Sequence, residues 1–258
     1  MFLLCRDPLG PRVDPHFAPT AAALRDLGVP YALIDHDALC AGDAEAAVRR
    51  VPEGTAWYRG WMVTVAQYRA LAEALAARGC VLNTTPDAYA TAHELPGWYA
   101  TFAELTPTTR FNLDVPEGRY IVKDHVKSRK HEPEAFFAAR RAELPAVAAT
   151  FLARQGEDLA GGLVVRDFED LTGPETRVWW LDGRPIAVTA HPDTPGSHAR
   201  PPLDAVASAV AALPARFVTT DLARRADGEW RVIEVGDGQV SDFPSGTGIR
   251  DLLAALAG

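Results

Sequence analysis

In the first 85 residues short apolar runs alternate with helical patterns, and this alternation limits the fold more than any other feature of the chain. Phe2–Cys5, Tyr31–Ile34, Thr55–Arg59 and Val81–Asn83 read as strands. Between them lie a helix ending near Leu27, a short one over Asp43–Arg50 and a strongly helical stretch over Val65–Arg78. Gly28 and Gly79 stand where a helix C-terminus favours glycine, and Pro30 lies just beyond the first stop. Such alternation predicts a small parallel sheet with helices on its faces. No Gly-x-Gly-x-x-Gly follows any of these strands, so the dinucleotide fingerprint is absent.

The chain changes character after Thr85-Pro86. A short helix over Asp87–Glu94 precedes Pro- and Thr-rich connections and the apolar run Tyr120–Lys123. A polar loop and a long Ala-rich helix follow, the helix running from about Pro133 to Arg154 with an interruption at Pro145. Strands then dominate: Gly162–Phe168, Thr176–Leu181, Pro185–His191, Arg216–Asp221 and Glu229–Val235, with hairpin signals at Asp182-Gly183 and Asp227-Gly228. Helices over Leu203–Leu213 and Ile249–Leu256 complete the pattern. His191–Pro202, rich in Pro, Gly and His, predicts an exposed, mobile loop.

A net charge of -8 argues against nucleic acid or a membrane surface as the partner. Cys5, Cys40 and Cys80 are odd in number and form no Cys-x-x-Cys pair, which points to a reducing compartment and to thiols used as small hydrophobes. The apolar run in MFLLCRDPLG is too short for a signal-peptide core or a membrane span, so a cytoplasmic protein is expected. Oligomeric state leaves no mark in the sequence.

The chain carries no phosphate-loop motif, no His-Glu-x-x-His, no Gly-x-Ser-x-Gly and no Cys/His zinc spacing. Three other features offer chemistry. In FVTTDLARRADGEWRVIEVGDGQ two apolar runs deliver Asp221 and Glu234, with Asp237 three residues further on. Carboxylates on Val/Ile-rich strands are costly to desolvate without a positive partner, and their oxygens suit Mg2+ carrying nucleotide phosphates. The same acids could instead be solvated, or pair with Arg224, Arg225 or Arg231. In YIVKDHVKSRKHE, Lys123 ends an apolar strand and Lys127, Arg129 and Lys130 cluster behind it, a set suited to a polyphosphate. A solvated turn balanced by Asp124, Glu132 and Glu134 is the competing reading. In LVVRDFEDLTGPETRVWWLDGRP, Arg166 and Arg177 lie on neighbouring apolar runs and need anionic partners, which a ligand or Glu169 and Glu175 could supply.

The histidines match no metal spacing, and Trp57, Trp61, Trp179 and Trp180 alternate as core residues would. Arg59, His198 and Arg200 are further candidates for gripping a carboxylate.

The order of these features (a strand lysine, arginine strands, then Asp and Glu on a late hairpin) resembles the ATP-grasp superfamily, and in detail its small subgroup named for two arginines and one lysine. The matching segments are IVKDHVKS, VVRDFEDL, ETRVWWLDGRPIA and FVTTDLA with DGEWRVIEVGDGQVSDFP. The resemblance implies an α/β plus α+β architecture. A small N-terminal parallel α/β domain (1–85) would precede an ATP-grasp region (86–258), whose central lobe (about 86–160) and C-terminal lobe (about 161–258) clasp ATP. It also implies roles. Lys123 would hold nucleotide phosphates under a loop carrying Lys127, Arg129 and Lys130. Arg166 and Arg177 would face phosphate or activated substrate, and Val165 and Asp167 would lie on the strand leading past the adenine. Asp221 and Glu234 would hold Mg2+. Two departures stand out: Gly236 replaces the metal-binding Asn of the usual Glu-x-Asn, with Asp237 as a possible substitute, and no glycine lies between Lys123 and Glu132.

The implied activity is ATP-dependent ligation. A small-molecule or peptide carboxylate is activated as an acyl phosphate and attacked by an amine or similar nucleophile. The alternatives are a nucleotide-binding module with little turnover and kinase-like transfer to a hydroxyl.

Overall fold

The computed structural model describes residues 1–244 and 247–258. The N-terminal part runs β1 (Phe2–Cys5), α1 (Ala18–Asp26), β2 (Tyr31–Ile34), α2 (His36–Cys40), α3 (Ala44–Val48), β3 (Gly54–Arg59), α4 (Val65–Ala76) and β4 (Cys80–Leu82). Its four strands form one parallel sheet in the order β2-β1-β3-β4. Strand alternation sends Leu3, Cys5, Ala56 and Tyr58 to one face, where Leu71 and Leu75 of α4 cover them. Phe2, Leu4 and Trp57 go to the other, against Leu24 of α1. Thr64 opens α4 with a full capping box, exchanging hydrogen bonds with Gln67.

Two helices, α5 (Pro86–His93) and α6 (Leu95–Phe102), lead to the central sheet. That sheet contains β5 (Thr109–Arg110), β6 (Tyr120–Lys123), β7 (Phe137–Ala138) and, beyond helix α7 (Leu144–Gln155), β8 (Val164–Asp167). It is antiparallel, in the order β5-β8-β6-β7. The expected helix over 133–154 is corrected by half. Phe137–Ala138 is drawn into pairing with Tyr120–Ile121, so only 144–155 is α-helical. Pro145 does not interrupt that helix but begins it, where its missing N–H costs nothing. Because β8 pairs with β6, the division expected near 160 falls instead after Asp167.

The last sheet is antiparallel, ordered β10-β9-β11-β12, from β9 (Leu171–Leu181), β10 (Arg184–Ala190), β11 (Phe217–Arg225) and β12 (Trp230–Asp237). Helix α8 (Asp204–Ala211) packs on one face with α5 and α6, burying Val178, Trp180, Val218, Leu222 and Val235. On the other face Trp179 and Phe217 join Trp57 of the first sheet and Leu252 and Leu253 of α9 (Thr247–Ala257). Trp57 donates to the Leu256 carbonyl at 2.9 Å, fixing the C-terminal helix to the N-terminal sheet. Trp61, expected in the core, is instead 39% exposed and tilts against His16. Among the described residues no helix is long and apolar enough to cross a membrane.

Candidate functional site

The central sheet and the last sheet meet along a cleft. Its floor is a row of side chains set by strand register: Arg177 of β9 faces Asp221 of β11, which faces Glu234 of β12. Neighbours in such a row lie about 5 Å apart at Cβ, close enough for charged groups to pair. Arg177 grips Asp221 with two parallel hydrogen bonds of 2.8 Å each. His191, just past the end of β10, brings Nε2 to 3.4 Å from the other side of the Asp221 carboxylate. Burial alone would raise the Asp221 carboxyl, but Arg177 and then His191 hold it below the usual range.

From the opposite wall β6 delivers Lys123, whose Nζ lies 3.7 Å from Glu234 Oε1 and donates to the Val126 carbonyl at 3.3 Å. Burial lowers the ammonium's pKa, and the Glu234 charge works against that shift. Glu234 keeps 45% of its side chain exposed, with Lys123 its only ion-pair partner among the described residues. The lysine and the two strand acids therefore converge on one cleft.

Two cavities open there and share His191 and Glu234. The larger, about 360 Å³, lies between the sheets. Ile121, Phe136, Phe168 and Ile233 line one part of it, and Lys123, Lys130, Glu175 and Glu234 another. An apolar slot with convergent charges is the usual build of a small-ligand site. The smaller, about 230 Å³, continues past Arg177 and Asp221 toward Met62, His93 and Asp242. His93 is buried there against Tyr89, and desolvation pushes its pKa down to about 4, so the ring is neutral.

Other expected site residues separate. Arg166 lines the larger cavity but is committed to protein acceptors: Thr109 Oγ1 at 3.2 Å, Thr106 Oγ1 at 2.5 Å and the Ile233 carbonyl at 2.7 Å. It bolts β8 to β12, and burial pulls its guanidinium down to about 10. Val165 points into the core beneath α7 and lines neither cavity. Asp167 borders the larger cavity and is held by Arg110 at 2.6 Å.

The basic loop also divides. Lys130 lines the cavity and pairs with Asp193, joining its loop to the one after β10. Burial works to lower the Lys130 pKa, but the Asp193 hydrogen bond and nearby carboxylates raise it. Arg129 turns away to Gln155, Glu132 and the Arg154 carbonyl, and Lys127 stays exposed, so neither lines a cleft cavity.

Asp237 does not join the metal set expected of it. Its Oδ1 accepts from the Gln239 amide at 2.9 Å and side chain at 3.0 Å, and Gln239 reaches the Tyr68 hydroxyl at 3.1 Å. Full burial raises its pKa to about 7, and Oδ2 finds no partner among the described residues. Among those residues no group of three His, Cys, Asp or Glu is gathered as a metal cluster.

The remaining substrate candidates lie elsewhere. Arg59 is buried 3.9 Å over the Phe243 ring and donates to the Gln239 carbonyl at 3.0 Å. His198 and Arg200 are exposed and border neither cleft cavity. Conversely, sequence reasoning passed over His191 and gave Glu175 only a structural part. Their one signal was position, at a strand end beside the loop and two residues before Arg177.

Fold and cleft together define the chain as an ATP-grasp protein. It belongs to an ATP-grasp domain family, the third of its clade, whose model matches residues 112–256, more than half of the 258. Among solved structures it is similar to the D-cycloserine synthetase DcsG (18% identity, covering 99% of this chain and 98% of that one, TM-score 0.67). It is also similar to the ATP-grasp ligase PsnB bound to a phosphomimetic variant of its minimal precursor, Mg and ADP (15%, 100% and 97%, TM-score 0.59). The D-alanine–D-alanine ligase of Bacillus anthracis with ATP is a third (14%, 93% and 87%, TM-score 0.59). At these identities the likeness is one of fold. No curated protein matches the sequence.

Proposed function

We propose that the chain is an ATP-dependent ligase that joins a carboxylate to an amine. The observation that carries this reading is the meeting of Lys123 and Glu234 at 3.7 Å, brought from two different sheets to the point where both cavities join. ATP with Mg2+ supplies the phosphoryl group that turns a carboxylate into an acyl phosphate, which an amine opens to an amide as phosphate leaves.

The residues fit both groups. Lys123 and Lys130 set two ammonium charges on one cavity wall, suited to phosphate oxygens. Glu234 offers a half-exposed carboxylate there, and Mg2+ needs only one or two carboxylates besides waters and phosphates. Asp221 can join it only by releasing Arg177. Phe136, Phe168 and Ile121 suit a purine face. In the second cavity neutral His93, Asp193 and Asp242 provide acceptors for an incoming amine. DcsG and PsnB, a synthetase and a ligase by name, and the ADP and Mg bound to PsnB support the reading by likeness.

The test is ADP release and hydroxamate formation when the protein, ATP, Mg2+ and hydroxylamine meet a broad panel of small and peptidic carboxylic acids. Acid-dependent hydroxamate is expected; neither product with any acid would sink the ligase reading. A second reading, a nucleotide-binding module with little turnover, draws on the bidentate Arg177–Asp221 lock, which withdraws one acid from metal binding. ATP binding without ADP formation would favour it, and a stable phosphorylated alcohol would point to kinase-like transfer.

A further inference from the structure

The largest cavity of the described residues, about 610 Å³, shares no lining residue with the cleft. It lies along β2, which pairs with β1 alone and so leaves one edge of the N-terminal sheet open. A second cavity, about 320 Å³, also borders this strand. Tyr31 and Leu33 pack toward α1, beside the second cavity, and Ala32 toward α3, beside the first. The open strand edge thus runs between two grooves.

Charge singles this place out. Arg6, Arg49 and Arg50 line the first groove and Arg12 and Arg25 the second, while Asp35 is the one acid among all the lining residues. This is a cationic concentration on a chain of net charge -8. Arg6 is paired with Asp35 and Arg12 with Asp7, but Arg49 and Arg50 have no ion-pair partner among the described residues. Leu9, 90% exposed, stands at the rim of the first groove among Pro8, Gly10 and Pro11.

We propose that the β2 edge is a docking site for an extended acidic peptide, added to the sheet as a further strand. Backbone pairing with an open edge supplies affinity that does not depend on sequence. Sequence preference follows from the pleat, because successive side chains of an added strand point to opposite faces. Of two adjacent acids, one meets Arg49, Arg50 and Arg6 and the next meets Arg12 and Arg25. Adjacent acidic pairs are therefore favoured over single acids. A second copy of the chain is the poorer occupant, since a two-fold β2 contact would oppose the same arginines.

The test uses the full chain and a fluorescein-labelled peptide of paired glutamates separated by valines, followed by anisotropy. Binding is expected, and Arg49→Glu combined with Arg50→Glu should weaken it at least about tenfold, as loss and reversal of two charge contacts implies. Both side chains are exposed, so the fold should survive, and unchanged ATP binding by the double variant checks this. Two altered peptides complete the test. The glutamine version should bind at least about tenfold more weakly, and so should one N-methylated at alternate residues, which keeps its charge but loses strand donors. Absence of binding by the glutamate peptide, or equal binding to the double variant, would overturn the proposal. Full binding of the N-methylated peptide would overturn the added strand. A dimer seen by sedimentation and dissociated by the double reversal would assign the edge to a second copy instead.

Discussion

Lys123 carries the heaviest burden of any single residue. Its ammonium is 7% exposed, yet its sole carboxylate partner among the described residues is half in water at 3.7 Å. A charge so placed is costly to keep unless an anion completes its shell. Lys123→Met removes the charge and keeps most of the stem, so the fold should be as stable as before. ATP affinity should fall at least about tenfold, the scale of one charge-assisted contact; isothermal titration giving wild-type affinity would remove Lys123 from the phosphate site. Asp237 makes a different demand. Its folded pKa, raised by burial to about 7, exceeds the unfolded value near 3.8. Between those values the folded chain binds the extra proton, so Asp237 costs stability as pH rises from about 4 to about 7, at about 1.4 kcal/mol per pH unit at most. Asp237→Asn keeps an acceptor for Gln239 and cannot ionise. Its melting temperature should therefore decline less between pH 5 and pH 8 than that of the wild type. Equal slopes in a thermal melt series would mean that the carboxyl is not held protonated. Neither the role lost by Asp237 nor that gained by His191 was legible in the sequence. Strand alternation says which face a side chain takes, but not that Gln239 turns back to occupy Asp237 or that a loop start lands beside Asp221.

At the scale of elements, legibility followed the source of each element's stability. The first four strands and the helix after β3 were readable because local signals agree with tertiary placement. Apolar runs alternate, Thr64 caps α4, and Gly28 and Gly79 close helices at positive φ. The segment 133–143 was not readable, because its alanines and glutamates favour helix while β6 draws Phe137–Ala138 into the sheet. Helices α2 and α6 were missed for a related reason: each is short and stands on burial of Leu39 or of Leu95, Trp98 and Phe102 more than on any local pattern. The turn before β8 shows how tightly one residue can constrain an element. Gly161 sits at φ +69, and a Cβ there would lie 2.0 Å from His125 Nδ1. Gly161→Ala must strain the backbone and displace the imidazole, with a stability loss of about 1–3 kcal/mol. A chemical-denaturation midpoint equal to that of the wild type would show that this turn relaxes freely.

For the whole molecule the question is whether the two antiparallel sheets act as one binding unit. Lys123 comes from the central sheet and Glu234 from the last, while Arg166 ties β8 to β12 through the Ile233 carbonyl at 2.7 Å. A ligand touching both walls stabilises their native arrangement and cannot bind them once separated, so binding and stability are linked. At a free concentration about 100 times its dissociation constant, Mg-ATP should add about 2.7 kcal/mol, or roughly 5–10 °C in melting temperature for a chain of this size. The two walls predict different losses. Glu234→Gln keeps the fold and the lysines, so the shift with ATP alone should persist while the added increment from Mg2+ disappears. Lys123→Met should shrink the shift with or without the metal. If both variants lost only the same metal-dependent part, Lys123 would be acting through Glu234 and not through phosphate. If the unaltered chain showed no shift with Mg-ATP, the two walls would not be a nucleotide site at all, whatever the fold they share with ATP-grasp ligases.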